Sequence, residues 1–417
     1  MNFSYAILKK QNFRLLIATR MFSNMALQSL SVIIGWQIYE LTNDPLMLGL
    51  IGLTEAVPAI IGALFSGYIV DISTPHHVYK ACITALILNL LFLLSVGGGF
   101  FSVPQGAVIP LLFLGIFVSG LARSFLMPAH FSITPQIVDK KDYASANGWS
   151  NTAFQVSVIM GPILGGAVYG FYGVSSAWIL PISFMILALL CILNIKNLRE
   201  YEKFDKKGRV IENIIDGWKF ILLNPMLLTV MALDMLAVLF GGAIAILPAF
   251  AAEVLMVGPE GLGILRTAPG LGAIVSAIYL ALRPMKIFTL QRMLWSVIGF
   301  GLSMIGFGLS TSFLLCFVFL GLSGLFDTVS VIIRSTLKQI LTPDHMRGRV
   351  SSISFMFVVS SNEIGSFESG VAARALGLVP SILFGGIMTL FVAGITFYMT
   401  PSLRKHVFDE NGISEAK

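Results

Sequence analysis

The sequence predicts an all-α integral membrane protein in which twelve transmembrane helices form two pseudo-symmetric six-helix halves. Three observations carry that prediction. The first is composition: of 417 residues, 56% are hydrophobic and only 12% charged, more apolar surface than a soluble chain of this size can hide. The second is run length, because apolar segments of about 20 residues recur, enough to span a hydrocarbon layer of roughly 30 Å. The third is a repeat. Ser119-Gly120-Leu121 returns as Ser323-Gly324-Leu325 and Gly166 returns as Gly370, both at an offset of 204, while Thr134-Pro135 returns as Thr342-Pro343 at 208. A period of half the chain, inside apolar helices, marks two related halves.

Crossings are read near 14–40, 46–70, 80–98, 104–127, 145–169, 174–194, 226–251, 260–282, 291–309, 312–333, 351–373 and 379–399. Thr134-Pro135 is assigned to a short charged loop. The halves are residues 1–195 and 218–417. Between them, 196–217 is read as a cytoplasmic linker ending in an amphipathic helix, with Ile211, Ile214, Ile215 and Trp218 at helical spacing for the membrane surface. Met1 to Gln11 is short and polar and does not read as a signal peptide.

Charge sorts by loop. With the N-terminus inside, Lys9, Lys10, Lys80, Lys140, Lys141, Arg283, Lys286, Arg347, Arg349, Arg404 and Lys405 fall in or beside cytoplasmic segments. The opposite loops hold Glu40, Asp44, Glu253 and Glu260, with Arg374 their only basic residue. That asymmetry places both termini in the cytoplasm. The net charge of +6 therefore reads as membrane topology, and no nucleic-acid partner is expected.

Several chemistries are absent from the pattern. Cys82, Cys191 and Cys316 lie in apolar runs as free thiols without metal-site spacing. His76, His77, His345 and His406 read as loop or tail residues, and His130 stands alone near a helix end. No phosphate-binding GxxxxGK[ST] loop and no nucleophile–His–carboxylate set occurs. No metal, no cofactor and no enzymatic activity are expected.

Ionisable residues inside crossings are the candidate functional set, since each costs at least about 2.5–3.5 kcal/mol to insert and so faces a cavity or a partner. They are Arg20, Glu55, Arg123, Asp234, Arg266, Asp327 and Arg334, with Glu363 and Glu368 on the eleventh crossing. Aligned by the repeat, Arg20 matches Asp234, Glu55 matches Arg266, and Arg123 matches Asp327, each pair of opposite sign. This predicts halves that are electrostatically complementary across a central cavity, with Arg20–Asp234 and Arg266–Glu55 as pairings. Asp327 and Arg334, two turns apart on one face, are read as a shared polar network. Glu55, Asp234 and Glu363 are proton-coupling candidates, because a carboxylate moved between wet and dry surroundings binds and releases a proton. The alternative for each is a static ion-pair lock, and a gate lock is the reading for Arg123 and Asp327. Gln28, Trp36, Gln37 and Asn362 are cavity candidates, and Gly161, Pro162, Gly165 and Gly166 a hinge or packing seam.

Taken together these residues resemble the major facilitator superfamily. VSVIMGPILGG, around Gly161, is similar to the family's fifth-helix antiporter motif. GYIVDIS, Gly67 to Ser73, resembles the start of its loop-two signature, with Asp71 as the acidic residue. Thr74-Pro75-His76-His77 then departs from that signature, where glycine and several basic residues are usual. ARSFLMP, LTPDHMRGRVSSI, SSNEIGSFESG and the Asp327-x6-Arg334 pattern resemble the branch of enterobactin exporters and macrolide-efflux proteins. The resemblance implies a monomeric, proton-coupled antiporter in a bacterial inner membrane that exports a siderophore or similar metabolite. Its partners would be a small-molecule substrate, protons and membrane lipid. Multidrug or macrolide efflux, import of a nutrient or iron complex, and a non-transporting receptor or scaffold are the competing readings; fold alone does not set direction.

Overall fold

Long apolar runs broken by glycine, proline and short polar segments fold as helices of membrane length. The computed structural model describes residues 5–99, 103–139, 142–196, 198, 210–283, 285, 287–343, 346–409 and 412–415. They form two compact units: Met1–Asn43 with Leu53–Lys206 and Met256–Thr267, and Asp44–Gly52 with Lys207–Leu255 and Ala268–Lys417. Each unit is thus built from one half of the chain plus the start of one helix from the other half.

The first unit contains α1 (Gln11–Thr42), most of α2 (Pro45–Ile72), α3 (Pro75–Gly97), α4 (Gln105–Ile137) and α5 (Tyr143–Leu193). α5 holds two crossings, because Gly173 turns the chain at φ 80°, ψ 174°, a conformation that side chains with a Cβ rarely adopt. α1 packs along α5. A Cβ added at Gly165 would lie 2.9 Å from the Ser29 carbonyl oxygen, and one at Gly161 would lie 2.6 Å from the Gln28 Cβ. Small residues let the two backbones approach, as in other membrane helix pairs. α3 is stitched to α4 by Asn89, whose amide donates to the Gly115 carbonyl at 2.9 Å and to the Ser119 hydroxyl at 2.8 Å. Thr134-Pro135, expected in a loop, lies in the last turn of α4. There Thr134 Oγ1 bonds the His130 carbonyl, and the Thr134 carbonyl caps the helix through the Val138 N–H. A proline at a helix end disturbs one bond and leaves the helix intact.

The second unit contains α6 (Val210–Leu223), α7 (Pro225–Gly241), α8 (Leu247–Glu253), most of α9 (Pro259–Leu282), α10 (Leu290–Leu309), α11 (Phe313–Leu341), α12 (Arg347–Leu376) and α13 (Leu378–Met399). The seventh crossing, read as continuous, is broken between α7 and α8. Gly241-Gly242 ends the first piece, a Cβ at Gly241 would strike Phe300, and Pro248 starts the second. The helix expected to lie on the membrane surface is α6; Ile215, Leu222 and Leu223 are exposed on it, the side chains of Ile211 and Ile214 lie outside the described residues, and another part of its apolar surface packs on protein. Trp218 meets Phe357 at 5.3 Å, and Ile221 is fully buried beside Val350 and Ile353 of α12. After α13 the chain forms a hairpin of β1 (His406–Asp409) and β2 (Gly412–Glu415). Phe408 is buried there and exchanges backbone hydrogen bonds of 2.8 and 3.1 Å with Phe288.

Among the described residues, eight helical stretches are long and apolar enough to cross a membrane, and one of them, Ser145–Leu193, spans 49 residues. α1 and α12 fall short of that apolar standard because they carry Arg14, Arg20 and Gln28, and Arg349, Glu363 and Glu368, respectively.

Candidate functional site

In the first unit, Glu55 on α2 forms an ion pair with Arg123 on α4. Arg266, at the start of α9, lies within electrostatic range of Glu55 and donates from Nη1 to the Ser31 hydroxyl at 2.6 Å. The expected Arg266–Glu55 neighbourhood is therefore present, but the carboxylate's bonded partner is Arg123. The sequence left Arg123 as a gate lock without a partner. It lies opposite Glu55 because a Cβ added at Gly120, one turn earlier, would press on the Glu55 carbonyl, so α2 and α4 run in close contact here.

Arg20 on α1 donates to the Ser150 hydroxyl on α5 and lies 5.9 Å from the Phe154 ring centre. The Ser150 oxygen is also 3.0 Å from His130 Nε2. His130 is 6% exposed and sits edge-on to Tyr79 at 6.3 Å. The expectation that His130 stands alone is corrected: its helix position points it into a polar cluster that only the packing of α3, α4 and α5 creates. His76, read as a loop residue, is likewise buried, with Nε2 2.9 Å from the Ile192 carbonyl.

In the second unit, Asp234 on α7 forms an ion pair with Arg334 on α11, the side chains only 4% and 12% exposed. The bonded partners inside each unit differ from the predicted Arg20–Asp234 pairing: Asp234 holds Arg334 and Arg20 holds Ser150. Arg334 faces Asp234, and Asp327, two turns earlier on α11, makes no hydrogen bond or ion pair among the described residues. The predicted Asp327–Arg334 network is absent for that reason. On α12, a Cβ added at Gly52 would lie 3.1 Å from Glu363 Oε2, which puts Glu363 against the start of α2. Glu368 is hydrogen-bonded with Ser369. At the same end of α12, Arg374 pairs with Asp44 at 3.3 Å.

The cavity candidates separate. Gln37 is 6% exposed, and both ends of its amide are used: Nε2 donates to the Gly97 carbonyl at 2.6 Å, and Oε1 accepts from Trp178 Nε1 at 3.0 Å. It is a clamp joining α1, α3 and α5, which corrects its reading as a cavity residue. Gln28 lies against Gly161 of α5, Trp36 is half-buried, and Asn362 is exposed. The Asp71 side chain lies outside the described residues, as do Lys140, Lys141 and Lys286.

The glycine motif has two faces. Gly161 and Gly165 pack on α1, while Gly166 packs on the start of α9, where an added Cβ would lie 3.0 Å from the Gly263 Cα. The second half repeats the arrangement at the 204 offset. Gly365 packs on Leu239 of α7, and Gly370 on the start of α2, with an added Cβ 2.8 Å from the Gly49 Cα. The sequence repeat is thus a repeat of contacts.

Apolar helices of membrane length, internally repeated and joined by ion pairs, define a multi-pass membrane protein, and the family it matches makes it a transporter with a small-molecule substrate. The chain belongs to the family described as transmembrane secretion effector, which it matches over residues 2–414, within the major facilitator superfamily. It is 24% identical over 399 residues to a protein named enterobactin exporter EntS from Escherichia coli O1:K1 / APEC, covering 94% of this chain and 92% of that one. The likeness to the protein of that name from Citrobacter koseri is the same 24%, over 398 residues. Among solved structures it resembles the nucleoside transporter NupG (TM-score 0.72, 13% identity, 94% of this chain and 99% of that one). It also resembles a bacterial homologue of the lysosomal transporter Spinster (0.71, 14%, 95% and 98%). A bacterial homologue of the iron transporter ferroportin is similar too (0.68, 15%, 92% and 98%). At these identities the structures establish the fold.

Proposed function

We propose that this protein is a proton-coupled secondary transporter that exports a siderophore or similar secreted metabolite across a bacterial inner membrane by alternating access, with both termini in the cytoplasm. The observation that carries the export reading is the likeness, over 94% of the chain, to relatives named enterobactin exporters. Proton coupling is supported by acids held inside membrane helices. Asp234 is 3% exposed and tied to Arg334, and Glu55 is tied to Arg123. A proton arriving on either carboxylate cancels its charge and releases its arginine, so proton binding is coupled to the loss of a contact between two helices. Glu363, against the start of α2, is the third coupling position, and the Gly161–Gly166 segment is the seam along which α5 moves on its neighbours.

The test uses everted membrane vesicles carrying the full chain, with enterobactin as probe. Uptake into vesicles with an acidified lumen, abolished by a protonophore, is the expected result. Asp234→Asn and Glu55→Gln should each lower that uptake by about tenfold, a barrier change of about 1.4 kcal/mol. Wild-type dependence on lumen pH in both variants would overturn their role as proton carriers. Vesicles that take up a macrolide and not enterobactin would move the substrate to the efflux reading.

A further inference from the structure

Arg20 differs from the other arginines of the candidate set. Arg123 and Arg334 each bind a carboxylate, and Arg266 lies within range of Glu55. Arg20 binds no carboxylate among the described residues; its guanidinium meets the Ser150 hydroxyl and the face of Phe154. The acids nearest in sequence to His130 and Ser150, Asp139 and Asp142, are engaged by Lys10 at 2.9 and 3.8 Å. A hydroxyl and a ring face solvate a guanidinium weakly and cancel none of its charge, so a cation kept in a membrane helix by neutral groups alone is set up for an anion.

A second observation is independent of the first. His130 is 6% exposed, its Nε2 shares the Ser150 oxygen, and its Nδ1 is buried with no hydrogen-bond partner among the described residues. Buried polar atoms are normally satisfied, so an open one is a candidate position for a ligand or water atom. His130 lies within Coulombic range of Arg20, so both groups act on one small region. Tyr79, 1% exposed and hydrogen-bonded with Ser23, sets its ring against the imidazole. Four helices, α1, α3, α4 and α5, supply these side chains.

We propose that Arg20 and His130, positioned by the Ser150 hydroxyl they share, form an anion-binding subsite flanked by the rings of Tyr79 and Phe154, which takes a carboxylate or phenolate carried on an aromatic ring. The planar guanidinium fork matches a carboxylate or a pair of ring oxygens. With the Ser150 hydroxyl donating to Nε2, the neutral imidazole carries its proton on Nδ1 and offers it as a further donor, and the flanking rings stack on an aromatic ligand where a bare inorganic anion gains nothing. The inference deepens the transporter reading, on which it rests, by naming the charged end of the substrate.

The experiment is a binding equilibrium, so it is separable from transport. The purified full chain in detergent is titrated with sodium benzoate at constant ionic strength by calorimetry, with benzamide, benzylammonium, phosphate and chloride as parallel ligands. Saturable binding of benzoate alone is expected. Arg20→Gln and His130→Ala should each weaken it by at least about tenfold, the size of a lost charge-assisted hydrogen bond, with partial recovery in Arg20→Lys. Ser150→Ala removes one hydroxyl and little else, so it keeps the test open if Arg20→Gln fails to fold by circular dichroism. No saturable binding, unchanged affinity in Ser150→Ala and His130→Ala, or equally tight phosphate or chloride would each overturn the subsite. Benzoate binding intact in a chain that moves no enterobactin in vesicles would uphold the subsite and count against the export reading.

Discussion

Asp234 and Glu55 carry the same charge but stand in different surroundings, and this separates their energetics. The Asp234–Arg334 side chains are 4% and 12% exposed, against 24% and 49% for Glu55 and Arg123. Removing one partner of a buried pair strands the other, at a cost of about 3–5 kcal/mol. An Arg334→Leu variant should therefore lose stability on that scale in detergent melting curves. Arg123→Ala should lose about 1 kcal/mol or less, because its pair is half-solvated. Replacing both Asp234 and Arg334 by leucine should recover much of the single-variant loss, whereas additive losses would show that the pair is not the source of the penalty. At this scale the sequence reveals which residues are set apart, because an ionised group in an apolar run stands out. It does not reveal their partners. The sign pattern of the repeat suggested Arg20 with Asp234, whereas contact depends on which helices are neighbours and how each is turned about its axis. Gln37 shows the same limit: a polar residue in a membrane helix reads as cavity-facing until Trp178 and Gly97 are seen to consume its amide.

The helices themselves were the most legible level, since about 20 apolar residues bounded by polar or Gly/Pro segments leave few alternatives to a spanning helix. The 204 offset also carried structural content, because Gly166 and Gly370 make equivalent close approaches to Gly263 and Gly49. The break between α7 and α8 was hidden because Gly241-Gly242 sits within an otherwise continuous apolar run, and glycine alone does not end a membrane helix. Four glycines give a graded test by thermal unfolding. Gly166→Ala and Gly370→Ala should each cost about 1–3 kcal/mol through overpacking of a backbone crossing. Gly173→Ala should cost about 1–3 kcal/mol through its φ of 80°. By contrast, Gly394→Ala has open space around it and should be neutral or stabilising by up to about 1 kcal/mol, because alanine favours helix. Equal effects at Gly394 and Gly166 would contradict the seam.

For the whole molecule, fold and family follow from signals spread along the chain: apolar run length, a half-length repeat and charge sorted by loop. The polar clusters depend on single side chains and were only partly visible; the Arg20–Ser150–His130 set joins residues 20, 130 and 150, which no local spacing connects. The substrate depends on still finer features, so it is the part of the account most in need of direct measurement. The central claim is export, and the most direct test compares siderophore inside and outside iron-starved cells of a deletion strain, its parent and a complemented strain. The account predicts that siderophore falls in the medium and accumulates in the cells when the gene is removed, and that both return on complementation. Unchanged amounts in both compartments would contradict it.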